Sequence, residues 1–501
     1  MLGRVRRPPS HRSTASRRKT AAHPGAAGRR RAPRVVAALA ALAVLAGCTA
    51  PAEGRTLRSP QPLDAGNRDG TSTPVADPVY PSYGNPGIDV LHYGLALTWA
   101  PPTKTLTGTA TLKLRVLRAD QALRLDLTGP YAVTATTVDG AAATGRVGGG
   151  KLTVDRAVTA GSTLTLVVQY QGTPAPVPMP SHRGDAEPLG LTVTGDGGLW
   201  TMQEPYGAST WYPSNDQPSD KALYDISVTV PDGWEAVAGG TPGPVRGSTF
   251  TYSSDRPVAT YLTTLAVGQY QQERLTGPRG LPITLWTRPG VDDAMLPVLR
   301  KAPEQLRWLE SRFGQYPFPS AGAVVVPSDS AMETQQMVTV GGSLGKYPAA
   351  LDTVMLHEYA HQWFGDTVGP SQWKDVWLNE GWATYAEALY AAERDGTGIE
   401  AWAKRARQRD AEVRQQLGPP GNPRSDSFAE GNVYVCPALM LYELHRQLGG
   451  PAFFALARAW VSQHAGTAQD RAAFTAFVNR QTGRDFTGLI DAWLDSPTTP
   501  A

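Results

Sequence analysis

His357-Glu358-Tyr359-Ala360-His361 sets two imidazoles four residues apart. On a helix, side chains at that spacing lie over one another, with Glu358 projecting near the same face. Glu380 follows nineteen residues after the second histidine, within Asn379-Glu380-Gly381. Two neutral histidines and one carboxylate form a zinc-binding set that leaves a coordination position open for water. The metal acidifies that water, and a nearby carboxylate that is not itself a ligand accepts its proton. The spacing therefore predicts one zinc ion per chain on His357, His361 and Glu380, with Glu358 as general base. A bare motif of this length also arises in purely structural helices; the downstream glutamate and the apolar sequence around the histidines favour the metal.

The ends of the chain bear on where such chemistry would operate. The first 34 residues hold eleven Lys or Arg and no Asp or Glu, and an uncharged Ala/Leu/Val run from Val35 to Gly47 follows. That run is short for a bilayer span and has the layout of an export signal. It ends in Leu45-Ala46-Gly47-Cys48, which resembles the lipobox of bacterial lipoproteins and implies lipidation at Cys48. The competing reading is an ordinary secretory signal in which Cys48 is incidental. Removing 11 of the 47 basic residues leaves 36 against 44 acidic ones, a formal net charge of −8 for the remainder. An acidic body gives no support for nucleic-acid binding. Cys436 is the only other cysteine, so with Cys48 lipidated no intramolecular disulfide is available. The expected location is the cell envelope, at the outer face of the cytoplasmic membrane through a lipid anchor, or secreted.

Four segments follow from composition and periodicity. Residues 1–47 read as the signal sequence. Residues 48–82, rich in Pro, Gly, Asp, Ser and Arg, read as a flexible tether. Residues 83–275 read as a β domain: Tyr93 to Trp99, Ala110 to Leu117, Leu164 to Tyr170 and Ala222 to Val230 carry two-residue apolar spacing between Gly, Pro, Asp and Asn breaks. Residues 276–501 read as a mainly helical body, with a helix over Ala302 to Phe313, a short strand over Ala323 to Val326 and helical patterns after Asp352. The fold class is multidomain α+β.

Several further motifs occur in a fixed order with the zinc motif. These are Gln203-Glu204-Pro205, Trp211-Tyr212-Pro213-Ser214-Asn215-Asp216, Phe313-Gly314-Gln315-Tyr316-Pro317-Phe318, Ser330-Ala331-Met332-Glu333-Thr334, Trp377 to Tyr385 around Glu380, and Asn432-Val433-Tyr434. Together they resemble the gluzincin aminopeptidases, the aminopeptidase N family, over about residues 80 to 500. The resemblance implies an N-terminal antiparallel β-sandwich or saddle-like domain, followed by a thermolysin-like catalytic domain. It implies removal of N-terminal amino acids from peptides, with Tyr434 stabilising the oxyanion and Glu204 and Glu333 binding the substrate's free α-amine. A carboxylate pair suits that role, because it attracts a protonated terminus and rejects an internal peptide, which brings no charge to offset their burial. A monomer is expected. The 67 residues after Tyr434 suffice to complete a catalytic domain without the large C-terminal helical domain of many members.

The chain departs from the family pattern at Ser330, where glycine is usual, at Thr334, where asparagine is usual, and at Cys436-Pro437 after the tyrosine. Pro437 is tolerable in a first helical turn. Asp426 and Glu430, near the cleft rim, either favour cationic residues or are ordinary loop charges. Glu387, seven residues after Glu380, is a candidate partner for a ligand histidine. The competing functions are a catalytically silent peptide-binding module, which has no chemical need of Glu358, and a zinc hydrolase with other substrates.

Overall fold

In the strand Ile88–Ala100, Tyr93, Leu95, Leu97 and Trp99 alternate inward and are buried, as the two-residue spacing predicts. The computed structural model describes residues 66–501; the signal segment, Cys48 and residues 49–65 lie outside the described residues. Ile88–Ala100 is central to a nine-stranded sheet. It pairs antiparallel with Thr105–Val116 and parallel with Lys221–Thr229, and the other pairs of this sheet are antiparallel.

A second, four-stranded sheet runs in the spatial order Glu235–Ala238, Leu265–Gly268, Leu199–Met202, Gly190–Val193. Leu199–Met202 is buried along its whole length and delivers the chain to Gln203 and Glu204. Gln203 is buried; its amide donates to the carbonyls of Thr260 (2.8 Å) and Thr263 (2.7 Å), and its oxygen accepts from the Trp211 indole (2.9 Å). Every polar atom of that side chain is thus used in holding the strand end that carries Glu204.

Gln271–Thr276 pairs with Pro282–Thr287 and through it joins Ala321–Val326, Val338–Gly341 and the edge strand Ala331–Met332 in a five-stranded sheet. The strand Gln271–Thr276 is thus hydrogen-bonded to a strand that follows the expected boundary at residue 276. Helices pack beyond this sheet, among them Ala302–Phe313, Pro348–His361, Trp377–Arg394 and Gly431–Leu448. Asp352, buried near the start of Pro348–His361, accepts from Lys301 Nζ (3.2 Å), Gln305 Nε2 (3.2 Å) and Arg394 Nη1 (2.9 Å), tying three helix regions together. Phe364 stacks on Trp382 at 4.4 Å between ring centroids, which fixes the end of the motif helix against the Glu380 helix.

The flexible tether expected to reach residue 82 requires correction from residue 66 onward. Asn67 N donates to the Ala465 carbonyl (3.1 Å), and Ser72 Oγ bonds both the N–H and the carbonyl of Lys221, each at 2.9 Å. Asp77 is buried; one carboxylate oxygen accepts from Val79 N and Tyr80 N, both at 2.8 Å, and the other from Trp373 N at 2.6 Å. The polar composition that reads as flexible is instead spent on backbone groups of both domains. Replacing Asp77 with Ala strands three backbone donors, so a loss of about 2–4 kcal/mol in unfolding free energy is expected by denaturant titration. A loss below about 0.5 kcal/mol, the range of ordinary surface substitutions, would show that the carboxylate does not hold the strap.

Candidate active site

The motif helix ends at His361, and the chain turns back through Gly365, whose φ of 135° is unfavourable for a residue with a side chain. The turn brings the Phe364 carbonyl to 3.1 Å from His361 Nδ1, which donates to it and leaves Nε2 facing inward. A Cβ at residue 365 would sit 3.3 Å from that Nδ1. His357 is oriented in the same way, with Nδ1 3.3 Å from Glu387 Oε2. Glu387 therefore lies where the sequence spacing suggested a partner for a ligand histidine.

The inward atoms converge on Glu380, in the first turn of Trp377–Arg394. His357 Nε2 and His361 Nε2 lie 3.2 and 3.5 Å from Glu380 Oε2. Metal–donor bonds of about 2.1 Å in a tetrahedron put donors about 3.4 Å apart, so the three side chains fit a zinc ion. All three are buried, and their ligand atoms lie within 4.8 Å of one another. Glu333, Glu358 and His361 form a second group within the same limit, which sets both glutamates beside the metal position.

A cavity of about 330 Å³ opens over this centre. The structure brings Glu204, Glu333, Glu358, Glu380, His357, His361 and Tyr434 together around it. Glu204 arrives from the first domain and Glu333 follows the edge strand Ala331–Met332. One carboxylate oxygen of each is buried without a hydrogen-bond partner. Burial pushes the Glu204 carboxyl well above its usual range, and the neighbouring Glu333 pushes it further. Burial also raises Glu333, with His361 opposing. The Glu358 carboxyl is pushed up to about 7 by burial, against the two histidines. Glu380 behaves oppositely: burial works against its ionisation, yet the histidines hold it well below the usual carboxylate range. Such a site favours a cation wherever carboxylate oxygens lack partners.

Other residues around the centre were not singled out by the sequence for a role in it. Gln362, next to His361, donates from Nε2 to the Glu333 carbonyl (2.9 Å) and accepts at Oε1 from Gln336 N (2.9 Å), linking the motif helix to the Glu333 loop. Asn379 donates to the hydroxyl of Tyr261 in the first domain at 3.1 Å. Arg183, on the segment between the strands Thr163–Gly172 and Gly190–Val193, donates to Tyr434 Oη at 2.9 Å. The rim acids of the sequence reading are otherwise engaged. Asp426 pairs with Arg424, and Glu430 Oε1 accepts from Ser181 Oγ (3.1 Å) and His182 N (2.7 Å); neither residue lines the cavity.

Comparison with known proteins places these features in a family. Residues 298–493 match the peptidase family M1 domain. The structure of a two-domain M1 zinc metallopeptidase bound to L-arginine superposes with a TM-score of 0.76 at 30% identity, covering 85% of this chain and 99% of that one. The chain belongs to peptidase family M1. An M1 zinc metallopeptidase from Deinococcus radiodurans bound to a Tyr-Ser-Ala substrate matches at a TM-score of 0.75 and 29% identity, over 85% of this chain and 99% of that one. Aminopeptidase N of Streptomyces lividans is 28% identical over 329 residues, 60% of this chain and 38% of that protein. Human glutamyl aminopeptidase is 29% identical over 206 residues, 38% of this chain and 22% of that protein. This M1 chain thus spans between about a fifth and two-fifths of the length of these two curated relatives.

Three departures from the M1 pattern now have a structural reading. Ser330 borders the cavity, whereas Thr334 is buried with its hydroxyl on the Met337 carbonyl and on Thr339 Oγ1, facing the sheet. Pro437 is not in a first turn: the helix begins at Gly431, one turn sooner than the sequence suggested. The proline ring packs on Gly381 of the Glu380 helix, where a Cβ would lie 2.7 Å from it. In this M1 protein, Glu387→Ala is expected to weaken zinc binding about 10-fold or more, measured by competition with a chelating dye. Unchanged affinity would remove Glu387 from the group of residues that orient the ligands.

Proposed function

We propose that the chain is a zinc-dependent aminopeptidase that hydrolyses N-terminal amino acids from peptides. The observation that carries this reading is the pair of unpartnered, buried oxygens on Glu204 and Glu333, in the same cavity as the zinc-ligand set. His357, His361 and Glu380 would hold one zinc ion. Bound zinc supplies Lewis acidity toward water and the scissile carbonyl. Glu204 and Glu333 take the substrate's α-ammonium, which relieves their mutual repulsion and sets the first peptide bond over the centre. Glu358 accepts a proton from the attacking water and returns it to the leaving nitrogen. Tyr434 donates its hydroxyl hydrogen to the carbonyl oxygen as charge develops there. The named ligands of the similar structures, L-arginine and Tyr-Ser-Ala, support an amino-acid or peptide occupant.

The deciding measurement pairs zinc content with hydrolysis of free and N-acetylated aminoacyl reporters. Free-amine reporters are expected to turn over and acetylated ones to fail, because an acetylated nitrogen offers no charge to the two carboxylates. Zinc-loaded protein that cleaves no free-amine reporter would refute the activity, and equal cleavage of both kinds would refute the amine clamp. Glu358→Gln keeps the side-chain volume and removes the base; activity is expected to fall at least about 100-fold with zinc retained. The Leu45-Ala46-Gly47-Cys48 run supports tethering to the cell envelope through lipid on Cys48. Cys48→Ser is expected to move the protein from the membrane fraction to the soluble one, and retention of the variant in membranes would reject the anchor.

A further inference from the structure

Between the strands Thr163–Gly172 and Gly190–Val193, the first domain sends out a segment that reaches the start of the Tyr434 helix. Phe428 N donates to the Pro180 carbonyl at 2.8 Å, and Glu430 receives Ser181 Oγ and His182 N. These bonds deliver Arg183 to the cavity wall. Its guanidinium is held on three sides. Nε and Nη2 donate to the two oxygens of Asp185 at 2.9 and 2.6 Å, while Nη1 donates to the Ala429 carbonyl at 3.2 Å and to Tyr434 Oη at 2.9 Å. Four of the five guanidinium hydrogens are therefore committed, and the planar group has one orientation.

This arrangement constrains the phenol. Tyr434 Oη accepts from Arg183, so its own hydrogen points elsewhere, and among the described residues no protein acceptor takes it. The ring lies beside the metal position, with its centroid 6.0 Å from that of His357 and the planes 27° apart. A cation hydrogen-bonded to a hydroxyl oxygen polarises the O–H bond and strengthens it as a donor, most of all toward an acceptor that is gaining negative charge. Such help is larger in the transition state than in the bound substrate, and that difference raises kcat rather than lowering KM.

We propose that Arg183, clamped by Asp185, is a positioning residue that aims and polarises the Tyr434 hydroxyl for the developing oxyanion. The inference rests on the aminopeptidase reading given above. It makes the oxyanion donor a two-domain device: the hydroxyl comes from the helical domain and its orienting charge from the β domain. The arginine belongs neither to the zinc motif nor to the segment around Tyr434.

The test is a double-mutant cycle on the zinc-loaded, full-length protein with a free-amine reporter. Arg183→Ala is expected to lower kcat about 10- to 100-fold with KM changed less than about threefold. Arg183→Lys, which keeps a donor but not the fork, should recover part of the loss. In a Tyr434→Phe background, Arg183→Ala should cost less than about threefold more, because the hydroxyl it serves is gone. Asp185→Asn gives an independent perturbation of the clamp and should lower kcat in the same direction if Arg183→Ala does not fold. Multiplicative losses in the double variant, a loss confined to KM, or unchanged kcat in Arg183→Ala and Asp185→Asn would each overturn the proposal. A wild-type protein inactive on every free-amine reporter would instead overturn the function on which it rests, so the two failures are distinguishable.

Discussion

Glu204, Glu333, Glu358 and Glu380 face one cavity from four different segments; the last three are buried, and Glu204 is partly buried with one carboxylate oxygen sealed from water. Carboxylates gathered in this way repel one another and cannot all ionise without compensating positive charge. The arrangement of this region answers that constraint. The two histidines face Glu380 with their inner nitrogens and spend their outer ones on Phe364 and Glu387, so the ligand set is rigid before any ion arrives. The remaining negative charge belongs to Glu204 and Glu333, whose partnerless oxygens await a cation from outside the protein.

That constraint also accounts for the layers behind the cavity walls. Three of the four carboxylates are held by a neighbouring side chain that hydrogen-bonds into the structure behind it. Gln203 secures the strand end before Glu204, Gln362 grips the backbone of Glu333, and Asn379, beside Glu380, reaches Tyr261 across the domain junction. Like charges with no such fixation would relax apart or take up protons. Gly381 under Pro437 belongs to the same packing problem, since the two helices come nearer than a Cβ would allow, and Gly365 beside His361 holds a backbone conformation that a side chain would strain.

What the sequence conveyed and what it withheld divide along a physical line. His357, His361 and Glu358 are legible because helical geometry alone sets their relation, and the strands around Tyr93 and Leu166 are legible because a pleat has a period of two. Glu204, Glu333 and Tyr434 required a resemblance, since nothing local ties three distant segments to one point. Arg183 and Gln362 escaped notice for a related reason: an arginine in a Pro-rich connection and a glutamine after a zinc motif have no spacing that announces their partners. The strap over residues 66–82 was misread because composition measures the average habit of residue types, whereas Asp77 is ordered by three specific backbone donors. For Glu430 the sequence left two roles open, and its Oε1 is engaged by Ser181 and His182.

The strap has a thermodynamic meaning beyond its geometry. Ser72 bonds the first domain at Lys221, while Asp77 and Ala76 bond the second at Trp373 and Gln372, a few residues away along one extended chain. Unfolding either domain alone would strip the strap from its partner and forfeit the bonds it makes to the other. The free energies of the two halves are thereby coupled, and a short polar segment adds to the bonds, such as that of Asn379 to Tyr261, that oppose separate unfolding of the β domain and the helical domain.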